Sequence, residues 1–313
     1  MVRLQNNYVL VLGKSGQVAK SLYKFKGSAK FDIKFLDRKQ IDLNTEIYTK
    51  LKRYIIKFNP KFIVNAAAYT AVEKAENDIE SAMRINGYSV GTIAKLCSEF
   101  DIPLFHFSTD YVFGHNGTDF LNSSFNKNPT GIYGESKLLG EKLIKEYVDK
   151  NILKAILLRI SWVFSENENN FVNTIINLSN SRDEIKIIND QFGGPTSSDS
   201  VAIATIEIIN TYLDNCLLKK FRPLPWGEYN FQGQPIVNWY EFANLIINEA
   251  EKLDLLVKRP KIKSISSNEY NFSAKRQLNS RLCMESSKSK LGLIPSDWKK
   301  DLINCLKNKK NNI

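Results

Sequence analysis

Tyr133 and Lys137 stand four positions apart, so on a helix their side chains share one face. Hydride reduction of a ketone needs a proton donor, and a tyrosine phenol with an ordinary pKa near 10 can serve when a neighbouring ammonium favours its anion. A lowering of about 3 pH units corresponds to about 4 kcal/mol. The same spacing recurs at Tyr48 and Lys52, and with 13 tyrosines in a lysine-rich chain roughly 1.4 such pairs are expected by chance. Position separates the two. Tyr133 follows Ser108-Thr109-Asp110, which ends an apolar run that reads as a strand, and this is the sheet edge where open α/β folds bind ligands. Tyr48 and Lys52 fall in a helix after the second strand and read as a surface pair.

A second stretch suited to chemistry is Gly13-Lys14-Ser15-Gly16-Gln17-Val18-Ala19, directly after the apolar run 8–12. Gly13 permits a tight turn out of a strand, Gly16 lets backbone amides approach a pyrophosphate at a helix N-terminus, and Ala19 allows close helix-to-strand packing. Asp37 lies 24 positions after Gly13, where a carboxylate would meet adenosine ribose hydroxyls, and Arg38 beside it would suit a 2′-phosphate. NADH and NADPH are both open.

These groups need a scaffold that brings strand ends together. Strands are expected at 8–12, 32–36, 62–65, 103–108 and 155–160, alternating with helical periods at 16–24, 44–57, 77–100 and 133–150. That alternation predicts a Rossmann-type, doubly wound parallel sheet. Beyond residue 160 the pattern loosens. It gives helices at 170–181, 200–213 and 239–253, strands at 184–188 and 228–231, a polar stretch at 190–199, a Pro-rich link at 222–226, a long loop and a helix from 297. The expected division is a dinucleotide-binding domain at 1–164 plus about 199–235, and a smaller substrate domain at about 165–198 plus 236–313.

Composition excludes several alternatives. Two histidines, His106 and His115, and four cysteines with no C-x-x-C pair leave almost no material for a zinc cluster, so no metal centre is expected. Separated thiols fit a reducing, cytoplasmic setting, and no apolar run approaches the 18 or so residues that would cross a membrane. The chain carries 44 Lys+Arg against 33 Asp+Glu, a net charge of +11. No basic recognition element accompanies it, so nucleic acid is not an expected partner. The lysines read as solvated surface, and Lys307, Lys309 and Lys310 as part of a frayed polar tail.

The chain resembles the extended short-chain dehydrogenase/reductases, and within them the dTDP-4-dehydrorhamnose reductase family. The matching stretches run in family order: 13–18 (GKSGQV), 65–76 (NAAAYTAVEKAE), 108–113 (STDYVF), 133–141 (YGESKLLGE), 159–164 (RISWVF), 190–196 (DQFGGPT) and 279–282 (NSRL). The resemblance implies hydride transfer from NADPH or NADH to C4 of a 4-keto-6-deoxy sugar nucleotide. Tyr133 would protonate the alkoxide, Lys137 would lower its pKa and hold the cofactor ribose, and Thr109 would hydrogen-bond the keto oxygen. The resemblance places Ser15, Gln17, Val18, Ala66, Ala67, Ala68, Asp42 and Leu43 on the cofactor, and Asp110, Trp162, Asn170 and the segment 191–196, led by Gln191, on the sugar nucleotide.

Plainer roles stand beside these. Trp162 could cap a core, His106 reads as a buried, satisfied histidine, and Arg276 and Arg281 are either diphosphate contacts or surface residues. The family's acidic pair is replaced by Asn122-Ser123-Ser124 and its Arg-Arg-Pro by Lys275-Arg276-Gln277, which bears on substrate identity more than on chemistry. A homodimer and a magnesium ion without evident ligands are left open. The alternatives are a reductase of another nucleotide-linked 4-keto-6-deoxy sugar and a non-catalytic subunit like the regulatory partner of methionine adenosyltransferase.

Overall fold

The computed structural model describes residues 8–218, 224–270 and 273–311. Arg222 and Pro223 of the expected link and Asn312 of the expected tail lie outside them. The first half runs β1 (Tyr8–Leu12), α1 (Gln17–Lys24), β2 (Asp32–Leu36), α2 (Tyr48–Phe58) and β3 (Phe62–Asn65), then α3 (Val72–Ala75), α4 (Ile79–Met83), a π-helical turn at Arg84–Tyr88, α5 (Ser89–Glu99), β4 (Leu104–Thr109), α6 (Ile132–Asp149) and β5 (Ala155–Ile160). The second half runs β6 (Val163–Phe164), α7 (Phe171–Ser181), β7 (Glu184–Ile188), β8 (Phe192–Gly193), β9 (Thr196–Ser197), α8 (Ser198–Leu218), β10 (Gly227–Phe231), β11 (Val237–Asn238), α9 (Trp239–Lys252), β12 (Lys261–Ile265), β13 (Asn279–Ser280), α10 (Glu285–Leu291) and α11 (Trp298–Asn311).

The main sheet has six strands in the order β10-β5-β4-β3-β1-β2. Every pairing in it is parallel. Its period-2 alternation sorts side chains onto two covered faces. Val9, Val11, Phe62, Val64, Phe105 and Ile156 face α1 and α8. Leu10, Leu12, Ile63 and Leu104 face α2, α5 and α6. By the same alternation His106 and Arg159 point toward α6. From β1 the chain crosses to β2 on one side, and from β2 back to β3 on the other, so a crevice opens at the strand ends between β1 and β3. A separate core joins Phe164, Val172, Ile185, Phe242, Ile246, Trp298 and Leu302.

Helix α6 is drawn close to the π-helical turn, because a Cβ on Gly140 would sit 2.2 Å from the Asn86 carbonyl oxygen. Asn86 Nδ2 donates to Ser136 Oγ (3.0 Å) and to the Tyr69 carbonyl (3.0 Å), and Oδ1 accepts from Tyr69 N–H (2.9 Å). The helix that carries Tyr133 and Lys137 is thereby fixed in register against a neighbour.

Several expected elements change in the structure. The helix expected from residue 44 begins at Tyr48, since Asn44 N–H donates to Asp42 Oδ1 (3.0 Å) and Thr45 Oγ1 to the Asp42 carbonyl (2.8 Å), local bonds that compete with helix. The single helix expected at 77–100 is interrupted by the π-helical turn. The polar stretch 190–199 contains β8 and β9, and the long loop contains β12, β13 and α10. Lys307, Lys309 and Lys310 lie in α11 rather than in a frayed tail, and Lys310 pairs with Asp254 at 3.1 Å.

Candidate active site

At the C-terminal ends of β1, β3, β4 and β5 lies a cleft of about 780 Å³. On one side the β1–α1 turn supplies Gly13, Ser15, Gly16, Gln17 and Val18 to its wall. Gly13 has φ +97°, which favours glycine, and a Cβ there would come within 3.1 Å of Ala67 N. Gly16 begins α1 without a side-chain cap, and a Cβ on it would meet nothing within 4 Å. Open space in front of uncapped amides suits a phosphate. Ala66, Ala67 and Ala68 line the floor, and Arg38, Asp42 and Leu43 the far end.

Asp37 does not line this cleft. Its Oδ1 accepts from Gln40 N–H (3.1 Å) while its own N–H donates to Gln40 Oε1 (3.0 Å), so the carboxylate closes a turn. Arg38 remains at the rim, exposed and 3.3 Å from Asp42.

The catalytic candidates meet at the other end. Tyr133 is half-buried, its ring edge-on to Tyr111 with centroids 5.3 Å apart, and its phenol faces the Thr109 hydroxyl. Thr109 Oγ1 donates to Asp110 Oδ1 (3.1 Å) and accepts from Tyr111 N–H (3.3 Å). Lys137 is buried, and its Nζ donates to the Phe107 carbonyl (2.6 Å) and lies 3.4 Å from a ring nitrogen of His106. Burial pushes the lysine down to about 8, against the pull of Glu141. Burial also raises the Tyr133 phenol. This corrects the expectation that Lys137 lowers it: Lys137 Nζ is directed at the Phe107 carbonyl, and the phenol faces Thr109, Tyr111 and Asp110.

Behind the pair, Glu141 continues the helical face at the next i+4 position. Its Oε1 accepts from Ser108 Oγ (2.6 Å) and Arg159 Nε (2.8 Å), and its Oε2 from Arg159 Nη2 (2.7 Å). Sequence reading passed over both residues. The signals were a glutamate four positions past Lys137 and an arginine inside an apolar strand.

The C-terminal segment closes the site from the other side. Asp110 is buried, and its Oδ2 accepts from Gln277 Nε2 (2.8 Å) and Ser280 Oγ (2.5 Å). Burial lifts its carboxyl to about 6, although these bonds oppose the rise. Asp110, Trp162 and Asn170 line the cleft, but the side-chain polar atoms of Asp110 and Asn170 are engaged within the protein. Asn170 Nδ2 donates to Gln17 Oε1 (3.1 Å), tying the phosphate loop to the 165–170 loop. Trp162, held at φ +49°, stacks on Trp239 with centroids 3.4 Å apart. Gln191 is buried behind that pair, accepts from Trp239 Nε1 (3.2 Å) and is not on the cleft wall.

The family model described as the RmlD substrate binding domain matches residues 7–311. A dTDP-4-dehydrorhamnose reductase of Escherichia coli K12 is 35% identical over 294 residues, 93% of this chain and 94% of its own. The chain belongs to the RmlD family of dTDP-4-dehydrorhamnose reductases. The Aggregatibacter actinomycetemcomitans reductase is 34% identical over 95% of this chain and 97% of its own. Among solved structures, the Clostridium acetobutylicum reductase superimposes with a TM-score of 0.83 at 26% identity, covering 96% of this chain and 99% of its own. The Bacillus anthracis reductase, determined in complex with NADP, gives 0.81 at 26%, covering 97% and 100%.

The two stretches where this RmlD-family chain departs from the family pattern have local structural roles. Asn122 Oδ1 accepts from Ser124 N–H (3.0 Å) and Oγ (2.9 Å), and the Ser123 carbonyl accepts from Arg159 Nη1 (3.0 Å). Gln277 spans Asp110 and Gly114 N–H (3.0 Å), and Arg276 pairs with Glu73 at 2.7 Å. Arg281 lies over the Phe192 ring, 4.5 Å from its centroid. Neither arginine lines the cleft. The second Tyr/Lys pair is a surface contact, with Tyr48 donating to Glu99 (2.8 Å). Among the described residues no helix is long and apolar enough to cross a membrane, and no three His, Cys, Asp or Glu side chains gather as a metal site.

Proposed function

We propose that the protein reduces the C4 keto group of dTDP-4-dehydro-L-rhamnose to dTDP-L-rhamnose with NADPH. The observation that carries this reading is one cleft in which Thr109, Tyr133 and Lys137 stand opposite the uncapped N-terminus of α1. The amides after Gly13 and Gly16 would hold a diphosphate, and Ala66, Ala67 and Ala68 leave room for a flat ring. When bound, the nicotinamide supplies the hydride. Tyr133 donates its proton to the substrate oxygen at C4, and the Thr109 hydroxyl, turning its one proton from Asp110 to that oxygen, hydrogen-bonds it. Lys137, on the same face of α6 and on the cleft wall, would hold the cofactor ribose. Residues 1–164 plus about 199–235 hold the cofactor, and about 165–198 plus 236–313 hold the sugar nucleotide. The separate core around Phe242 and Trp298 supports that division.

Arg38 favours NADPH over NADH, because its exposed guanidinium is available to a 2′-phosphate while Asp37 is committed to Gln40. Arg38→Ala is expected to raise KM for NADPH by about 10-fold or more, with KM for NADH within two-fold, since a charge-assisted bond contributes about 1.5–3 kcal/mol. An unchanged ratio of the two constants would remove Arg38 from cofactor selection. The reaction itself is tested by oxidation of NADPH dependent on dTDP-4-dehydrorhamnose. Faster turnover with a UDP-linked ketosugar would move the assignment to another nucleotide head, and cofactor binding without reduction of any ketosugar would favour a non-catalytic subunit.

A further inference from the structure

His106 is wholly buried in β4, opposite Asn65 of β3 in the sheet register, and neither has a place in the proton transfer described above. Their hydrogen bonds have a fixed direction. Ala67 N–H donates to Asn65 at 3.2 Å, which makes that atom the amide oxygen and the other the NH₂ group. Asn65 Nδ2 then donates to the nearer ring nitrogen of His106 (3.1 Å), which must carry a lone pair. Burial and the neighbouring lysine hold His106 well below its usual pKa, so the ring is neutral and its single N–H is on the other nitrogen. That nitrogen faces Lys137 Nζ at 3.4 Å.

A ring N–H directed at an ammonium opposes it, whereas a neutral amine accepts from it. Lys137 Nζ keeps a donor role toward the Phe107 carbonyl in either state. That carbonyl is reachable because β3 ends opposite His106, one residue earlier. We propose that Asn65 and His106 are positioning residues: by fixing the ring N–H of His106 toward Lys137 Nζ they favour the neutral amine of that lysine. The groups facing Lys137 are His106 and the Phe107 carbonyl from β4, and Glu141 from its own helix; Tyr133, one turn earlier on that helix, directs its phenol to Thr109 and Tyr111. Glu141 acts in the opposite direction and is itself committed to Arg159 of β5. The relay begins at the backbone of Ala67, on the cleft floor, and this connects the cofactor strip to the protonation state of the lysine. Its role in turnover rests on the proposed reduction, but the relay is a property of the ligand-free chain.

The test is NMR of the full chain without ligands, labelled with [¹³Cε]lysine and [¹⁵N]histidine, with the Lys137 signal identified by its loss in Lys137→Met. In the unsubstituted protein His106 is expected as one fixed tautomer, protonated on the nitrogen facing Lys137, with the lysine titrating at least one pH unit below its ordinary value. Asn65→Asp is nearly isosteric and replaces the NH₂ donor by an acceptor. The ring proton then moves to the aspartate side, a lone pair faces Lys137, and the lysine midpoint rises by at least about one pH unit. His106→Phe removes the N–H and shifts it in the same direction. The opposite tautomer in the unsubstituted protein, or a midpoint unmoved within about 0.3 unit in folded Asn65→Asp, overturns the relay. A lysine that behaves as expected in a protein that reduces no ketosugar would leave the relay standing and remove the reductase reading. In an active enzyme the loss of rate above pH 8, where Lys137 gives up its charge, moves upward in both variants.

Discussion

Tyr133→Phe is expected to lower kcat by about 10²- to 10⁴-fold, the usual worth of a positioned general acid, while the affinity for NADPH stays within about two-fold. The separation follows from the contacts. A phenyl ring keeps the edge-on packing against Tyr111, and the Thr109 hydroxyl that faced the phenol still donates to Asp110. Only the proton source goes. Because burial raises the phenol pKa, Tyr133 is fully protonated at neutral pH, so the variant loses a donor that is present in every molecule. Tyr48→Phe, at the same spacing from a lysine, is expected to retain full activity. Steady-state rates with NADPH and the ketosugar, alongside cofactor titration by fluorescence, measure both quantities. A loss smaller than 10-fold in Tyr133→Phe would send the search for the donor elsewhere.

Arg159→Met is expected to have the largest effect on stability, a loss of about 3–5 kcal/mol. The guanidinium is fully buried, donates twice to Glu141, once to Glu228 (2.6 Å) and once to the Ser123 carbonyl, and lies over Phe113 with its carbon 5.2 Å from the ring centroid. Its loss leaves Glu141, 3% exposed, with Ser108 as its one remaining partner among these bonds. For a chain of this size the melting temperature should fall by on the order of 10 °C. Arg159→Met combined with Glu141→Leu should recover part of that loss, since the stranded charge is what costs most. Acid sensitivity should change as well. Burial alone would raise Glu228, but Arg159 and Lys127 outweigh it and hold the carboxyl below 4.5. A depressed folded-state pKa contributes stability above the unfolded value that is lost as pH falls through the folded one. The stability difference between the unsubstituted protein and Arg159→Met should therefore narrow below pH 4.5. Calorimetry across pH 3–8 reads both effects, and a single-variant loss below 1 kcal/mol would show that relaxation or water satisfies Glu141.

The parallel sheet was legible because its strands are short apolar runs bounded by helical periods, and β1 to β5 lie within a residue or two of where periodicity puts them. Tyr133 and Lys137 were legible for a related reason: a helix converts spacing into a shared face. What the sequence hid depends on partners far along the chain. β12 has few apolar residues of its own and is ordered by pairing with β7, and β13 is two residues held against β8. Asp37 had the expected spacing from Gly13, but spacing does not show that a side chain will close its own turn on Gln40. His106 read correctly as buried and satisfied. Its partner could not be read, because a strand residue and a helix residue 31 positions apart meet only after the sheet has formed.

The contacts of the last segment bear on how the molecule is made. Gln277 and Ser280 reach Asp110 across 167 and 170 positions, and Arg276 reaches Glu73 across 203. A ribosome adds roughly 5–20 residues each second, so Asp110 leaves it on the order of 10–30 s before the residues that satisfy it exist. Throughout that interval its carboxylate, destined for burial, must stay in water. The nucleotide half of the nascent chain can assemble its sheet, but its catalytic corner can close only near the end of translation. A chain stopped short of residue 275 would accordingly be a folding intermediate and not a smaller enzyme.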